Sequence, residues 1–176
     1  MSGKAALTIV TGAPGTGKTT VATLLAQASP RGLHIPSDVF YGFPAHPVPP
    51  HLPESRAQNT AMIAAMTRTA ATFAAHGYDV FLEGIIGPWF LPTVKAELAR
   101  DPFEAHYVVL HAPLETTVER VRNRRDESPM PVVVQMHAEF ADLGPYARHC
   151  IDTTHRSPDE VAAEIQRLIL TGALRL

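Results

Sequence analysis

Three things are scarce in this 176-residue chain, and each scarcity excludes a class of protein. Cysteine is nearly absent. Cys150 stands alone, so there is no internal disulfide framework, and the composition suits a reducing cytoplasm. Its apolar neighbours predict a buried, unreactive thiol. An excess of either charge is also missing: 15 Lys and Arg against 17 Asp and Glu leave a net charge of −2. Such a chain has no global positive field to hold nucleic acid or an anionic membrane, and a small-molecule partner is the better expectation. Long apolar runs are missing too, none approaching the roughly 20 residues that cross a bilayer. The first ten residues hold one lysine and a short apolar stretch that runs into a glycine-rich loop, so they read as a first strand and not as a secretory leader.

What is present is 45% hydrophobic, enough for one sizeable core, and two independent domains would be cramped. Ala6–Thr11 is a β-branched strand candidate, and Lys18–Ala28 carries helical spacing. Gly32–Pro36 offers a second strand. Five prolines between Phe43 and Pro53 exclude regular structure there. The alanine-rich stretch from Glu54 to His76 places Met62, Met66, Thr69 and Phe73 on one helical face, with the methionines expected in the core and Gly77 as a stop. Tyr78–Leu82, closing on Glu83-Gly84, and Ala105–His111 are further strands, with a short helix near Pro92–Arg100 between them. Leu114–Arg125 and Val132–Leu143 read as helices separated by a break over Asp126–Pro131, and His149–Asp152 as a last strand. Ser157-Pro-Asp-Glu then opens a helix to about Leu170: a serine cap, a proline in the first turn and two acids beside the positive helix end. Strands alternating with helices predict an α/β fold, a parallel sheet covered on both faces.

The most specific signal is Gly12-Ala13-Pro14-Gly15-Thr16-Gly17-Lys18-Thr19, which matches G-x-x-x-x-G-K-[ST] at every fixed position. It lies where its chemistry requires, after a strand and at a helix start. Glycines let the backbone curl until successive N–H groups face one anion, and the helix dipole adds its positive end. Lys18 is expected to reach the outer phosphates of ATP and Thr19 to coordinate magnesium, while Thr20 adds a contact or faces the core.

On this loop and the order of the motifs around it, nearly the whole chain resembles the P-loop small-molecule kinases, the group of adenylate, shikimate and gluconate kinases. Ser37-Asp38 and Asp152-Thr-Thr-His155 look most like the chloramphenicol phosphotransferase-like subgroup; zeta-toxin-like kinases share the loop and the acid after strand two. The resemblance implies a P-loop three-layer sandwich with a five-stranded parallel sheet and a short lid near residues 123–131. It also implies a substrate-binding segment near 39–76, with MgATP as phosphoryl donor and a small-molecule alcohol as acceptor. By the same resemblance Asp38 is the candidate base toward the substrate hydroxyl, though Ser37-Asp38 is also ordinary helix-cap chemistry. Glu83 holds magnesium through water, contacts substrate, or is a structural carboxylate. Arg120 is implied to stack on adenine and Arg124 to reach the phosphates, with Arg122 and Arg125 on a solvated face. Thr153 lies where relatives pass the chain around adenine, and Arg56 is a candidate clamp for an acidic group on the substrate. No Cys or acid stands at ligand spacing from His46 and His51, so structural zinc is not expected. The alternatives are a nucleotide-binding regulator and a triphosphatase with water as acceptor; the acceptor itself stays open among antibiotic, sugar acid, nucleoside and nucleotide sugar.

Overall fold

The structure, a computed structural model, describes residues 6–99, 104–123 and 129–176. Strands β1 Ala6–Thr11, β2 Gly32–Pro36, β3 Asp79–Gly84, β4 Glu104–His111 and β5 Cys150–Asp152 alternate with helices α1 Lys18–Ala28, α2 Asp38–Tyr41, α3 Arg56–Ala75, α4 Leu91–Leu98, α5 Leu114–Asn123, α6 Met130–Glu139 and α7 Pro158–Leu170. All five strands pair in parallel, in the order β2-β3-β1-β4-β5. Parallel neighbours need a long crossover, which is why a helix follows nearly every strand.

β1 is central, and its last five residues are all buried. Alternate residues of the sheet feed two cores. On one face Leu7, Ile9, Val80, Leu82, Tyr107 and Val109 pack with Ile63 and Met66 of α3 and Leu91 and Val94 of α4. On the other face Val10, Phe81, Val108 and Leu110 meet Val21 and Leu25 of α1 and Val161 and Ile165 of α7. Helix layers therefore cover both faces, as the alternation of elements predicts.

Several expectations need correction. Along α3 the buried face runs through Asn59, Ile63, Met66, Thr67, Ala70, Ala71 and Ala74, offset from the predicted stripe. Small alanines take the seam because they let the helix approach the sheet, whereas Phe73 is exposed and packs edge-on against Tyr78. Cys150 is exposed, not buried. It begins the short edge strand β5, whose alternation turns Ile151 inward and Cys150 and Asp152 outward. Desolvation by the surrounding protein and the Asp152 carboxylate hold the thiol pKa above its ordinary value, so exposure does not make it a reactive thiolate. α6 starts at Met130, earlier than expected, because Pro131 sits in the first turn, where its missing N–H leaves no intrahelical bond unmade. Residues 124–128 of the expected lid, and with them Arg124 and Arg125, lie outside the described residues. The start of α7 matches the sequence signal: Ser157 and Glu160 form a reciprocal capping box.

Candidate active site

The loop Gly12–Thr19 joins β1 to α1 at the carboxyl end of the central strand. Two glycines show why the motif demands them. A Cβ on Gly12 would stand 2.2 Å from the Leu110 carbonyl oxygen, so the loop could not pass β4. Gly17 has open space around it but a φ of +95°, a conformation other residues adopt only under strain. The N-terminus of α1 has no side-chain cap, which leaves its first N–H groups available to an anion held by the loop. Ala13 and Pro14 are buried beneath it. Thr16 donates its hydroxyl to the Ala13 carbonyl at 2.8 Å, and Lys18 Nζ donates to the same oxygen at 3.0 Å. Thr16 thus stabilises the curl through its side chain and offers a ligand only its backbone.

Beside the loop, β1 and β3 align Val10 with Glu83 and Thr11 with Gly84. Thr19 Oγ1 donates to Glu83 Oε1 at 3.2 Å, and Glu83 is buried. His34 Nε2 lies 3.8 Å from the same carboxylate oxygen, and His34 Nδ1 is 3.3 Å from Thr23 Oγ1. The Thr23 hydroxyl donates to the Thr19 carbonyl at 2.8 Å, which leaves His34 Nδ1–H as the donor in their contact. Hydroxyl and carboxylate side by side are the hard-oxygen donor set that magnesium prefers, so a magnesium nucleotide fits the residues present. His34 was not singled out in the sequence; its link to Glu83 depends on the β2–β3 pairing.

One cavity borders the loop, and a second opens beyond the end of β2. The smaller, about 200 Å³, is lined by Thr16, Gly17, Thr20, Arg120, Thr153 and Arg156 among others. Arg120 Nη1 donates to Thr153 Oγ1 at 3.1 Å, while its Nη2 donates to the carbonyls of Thr153 at 2.9 Å and Thr154 at 3.3 Å. Thr153 is itself buried, with its hydroxyl 3.3 Å from the Thr16 carbonyl oxygen and 3.1 Å from that of His111. Arg120 and Thr153, far apart in sequence, therefore meet at the edge of the phosphate loop.

The larger cavity, about 510 Å³, opens past the end of β2 and is lined by Ser37 and Asp38. Its position is built in. Ser37 N donates to the Glu83 carbonyl at 2.8 Å, and a Cβ on Gly84 would collide with Ser37 Oγ at 2.1 Å. Glycine at 84 is what lets Ser37, just ahead of Asp38, sit this close to β3. The opposite wall hangs on Ile86, whose N–H donates to Thr11 Oγ1 at 2.9 Å and whose carbonyl accepts from Tyr107 OH at 2.9 Å. Asn59 also lines the cavity and ties its roof, donating to the Pro50 carbonyl at 2.7 Å and to Ser55 Oγ at 2.9 Å. Arg56 is exposed at the start of α3 and does not line this cavity. Asp38 opens α2 with an exposed carboxylate, while desolvation and then the Asp38 charge push the pKa of nearby Tyr41 up.

The fold has counterparts among known proteins. Residues 9–131 match the family model described as AAA domain. Among solved structures, the APS kinase of Mycobacterium tuberculosis in complex with AMPPNP and APS is 18% identical with a TM-score of 0.69, covering 95% of this chain and 98% of that one. Shikimate kinase from Acinetobacter baumannii in complex with shikimate is 18% identical, with a TM-score of 0.63 and coverage of 97% and 96%. The tunicamycin resistance protein of Deinococcus radiodurans is 18% identical, with a TM-score of 0.66 and coverage of 94% and 95%. No curated protein sequence matches the chain. The loop, the strand order and the matched family agree: the chain belongs to the AAA domain family and has the α/β P-loop fold of the small-molecule kinases.

Proposed function

We propose that this chain is an ATP-dependent phosphotransferase that moves the terminal phosphoryl group of MgATP onto a hydroxyl of a small molecule. One observation carries the reading. Besides the small cavity at the loop, beside Arg120, there is a separate, larger one beside Asp38, walled in part by Ile86, whose N–H is bonded to Thr11 just before the loop. A triphosphatase that uses water, or a nucleotide-driven switch, needs only the first.

MgATP would supply the phosphoryl group and a metal charge that offsets the charge of its oxygens. Backbone N–H groups of Gly12–Thr19 hold the phosphates, and Lys18 exchanges the Ala13 carbonyl for a phosphate oxygen. The Thr19 hydroxyl would contact magnesium, with Glu83 behind it holding the side chain in place. Arg120 fixes the Thr153 segment beside the base, and Arg124, by the family resemblance, reaches the phosphates. Asp38 accepts or orients the acceptor hydroxyl proton, and closure of the segment near 123–131 excludes water that would waste ATP. The chain works as one unit, since the loop and both cavities draw on elements from β1 to α7.

The test is Asp38→Asn. Transfer falls by about 10² to 10⁴ in kcat, the range for losing a general base, while MgATP affinity is unchanged. Full transfer by this variant removes the base assignment.

A further inference from the structure

Resting on the phosphotransferase reading, we infer that the acceptor is a largely apolar alcohol that carries no acidic group, and that the site favours a positive substituent over a negative one. Much of the apolar wall of the larger cavity comes from four parts of the chain. α3 contributes Ile63, the segment after β3 contributes Ile85 and Ile86, the short 3₁₀ turn Pro88–Phe90 contributes Trp89 and Phe90, and α6 contributes Met136. Trp89 is fixed by an edge contact with Phe140, ring centroids 5.3 Å apart. At about 510 Å³ the space suits a ligand of drug size with an apolar body.

The charged side chains lining it are both acids. Asp38 stands at the end of β2, and Glu139 at the end of α6, its Oε1 accepting from Gln135 Nε2 at 2.9 Å. Among the described lining residues there is no Lys or Arg, and His51 is the one that can gain a positive charge. Arg56, the side chain that would clamp an acid, lies outside the lining. A carboxylate or phosphate entering here would give up water for apolar walls and meet two charges of its own sign. An apolar alcohol loses little on entry, and an ammonium group finds Glu139 opposite it.

Trp89 is the only tryptophan and lines this cavity, so its emission reports binding independently of phosphoryl transfer. Three probes share one aryl alcohol skeleton: phenylalaninol carries an amine, N-acetylphenylalaninol is neutral, and phenyllactate carries an acid. Each is titrated against the full chain with ADP and magnesium at pH 8. Phenylalaninol and N-acetylphenylalaninol are expected to saturate the Trp89 response, with phenyllactate at least about tenfold weaker than phenylalaninol. Glu139→Gln narrows the amine-to-acid ratio by about threefold or more without changing ADP affinity. Phenyllactate binding as tightly as phenylalaninol, or no saturable response to the amine and neutral probes, overturns the inference. ADP release driven by an acidic acceptor would overturn it too, and would leave the phosphotransferase reading intact. Release from MgATP that ignores every acceptor overturns that reading instead, while the Trp89 titrations still decide this inference.

Discussion

Glu83 and Thr19 stand 64 residues apart in sequence and share a 3.2 Å hydrogen bond, which turns an ambiguous acid into a neighbour of the magnesium side of the loop. Glu83→Gln tests the assignment with little change in shape. The amide oxygen can still accept from Thr19, but the negative charge is gone. The magnesium concentration needed for half-maximal ADP release should rise by about tenfold or more, the scale of losing a group behind a metal ligand, with the maximal rate less affected. An unchanged magnesium requirement would make Glu83 a structural carboxylate. At this scale the sequence was informative wherever function is written in consecutive residues. The loop from Gly12 to Thr19 could be read directly, because its glycines and Lys18 act through local backbone geometry. The sequence locates Arg120 and Thr153 without connecting them and gives no sign of His34, because those partnerships arise from strand pairing and helix packing. Arg56 is a candidate clamp by its place in the chain, and it does not line the larger cavity.

Among the elements, β4 and the residues before β5 conceal two histidines, His106 and His149, both fully buried. His149 Nδ1 lies 2.9 Å from the Tyr107 carbonyl, which can only accept, so Nδ1 carries the proton; Nε2 then accepts from Arg148 Nε at 3.2 Å. His106 has no hydrogen-bond partner at either ring nitrogen. Desolvation lowers both imidazole pKa values below the ordinary 6.5, outweighing the opposing pull of Glu104 on His106 and of the Tyr107 hydrogen bond on His149. The sign follows from proton uptake. Below about pH 6.5 the unfolded chain binds protons at these positions while the folded chain stays neutral, so stability is full above that pH and falls as the pH drops toward the lowered folded values. Urea unfolding at about pH 7.5 and about pH 5 should show the loss, and His106→Leu should reduce it by removing one of the two sites. A loss of the same size in the variant would mean that other groups set the slope. Neither histidine was legible beforehand, since nothing in a scattered set of imidazoles says which ones a sheet will cover. Element type was far more legible than helix facing: α3 was expected as a helix, but its seam follows the alanines and not the bulkier Met62 and Phe73.

For the molecule as a whole, the alternation of strands and helices was enough to predict a parallel sheet with helices on both faces, because parallel neighbours leave few other ways to connect. The chain end was not predicted. β5 covers only the Val109–His111 part of the β4 edge, and below it Tyr107 N–H donates to the Leu174 carbonyl at 2.9 Å while Leu176 N–H donates to the Ala105 carbonyl at 2.9 Å. Leu174 is 1% exposed and belongs to the core on the α1 and α7 side. Deleting residues 174–176 should cost about 2–5 kcal/mol in urea unfolding, the range for emptying a buried leucine site, with an edge of β4 bared as well. A loss well under about 1 kcal/mol would mean the tail merely rests on the surface. The central claim concerns transfer, and ADP release from MgATP tests it most directly, followed with and without a pool of apolar alcohols and with Lys18→Ala protein as the blank. The account predicts release that depends on an added alcohol and vanishes in the variant; steady release that no alcohol accelerates would contradict it and make water the acceptor.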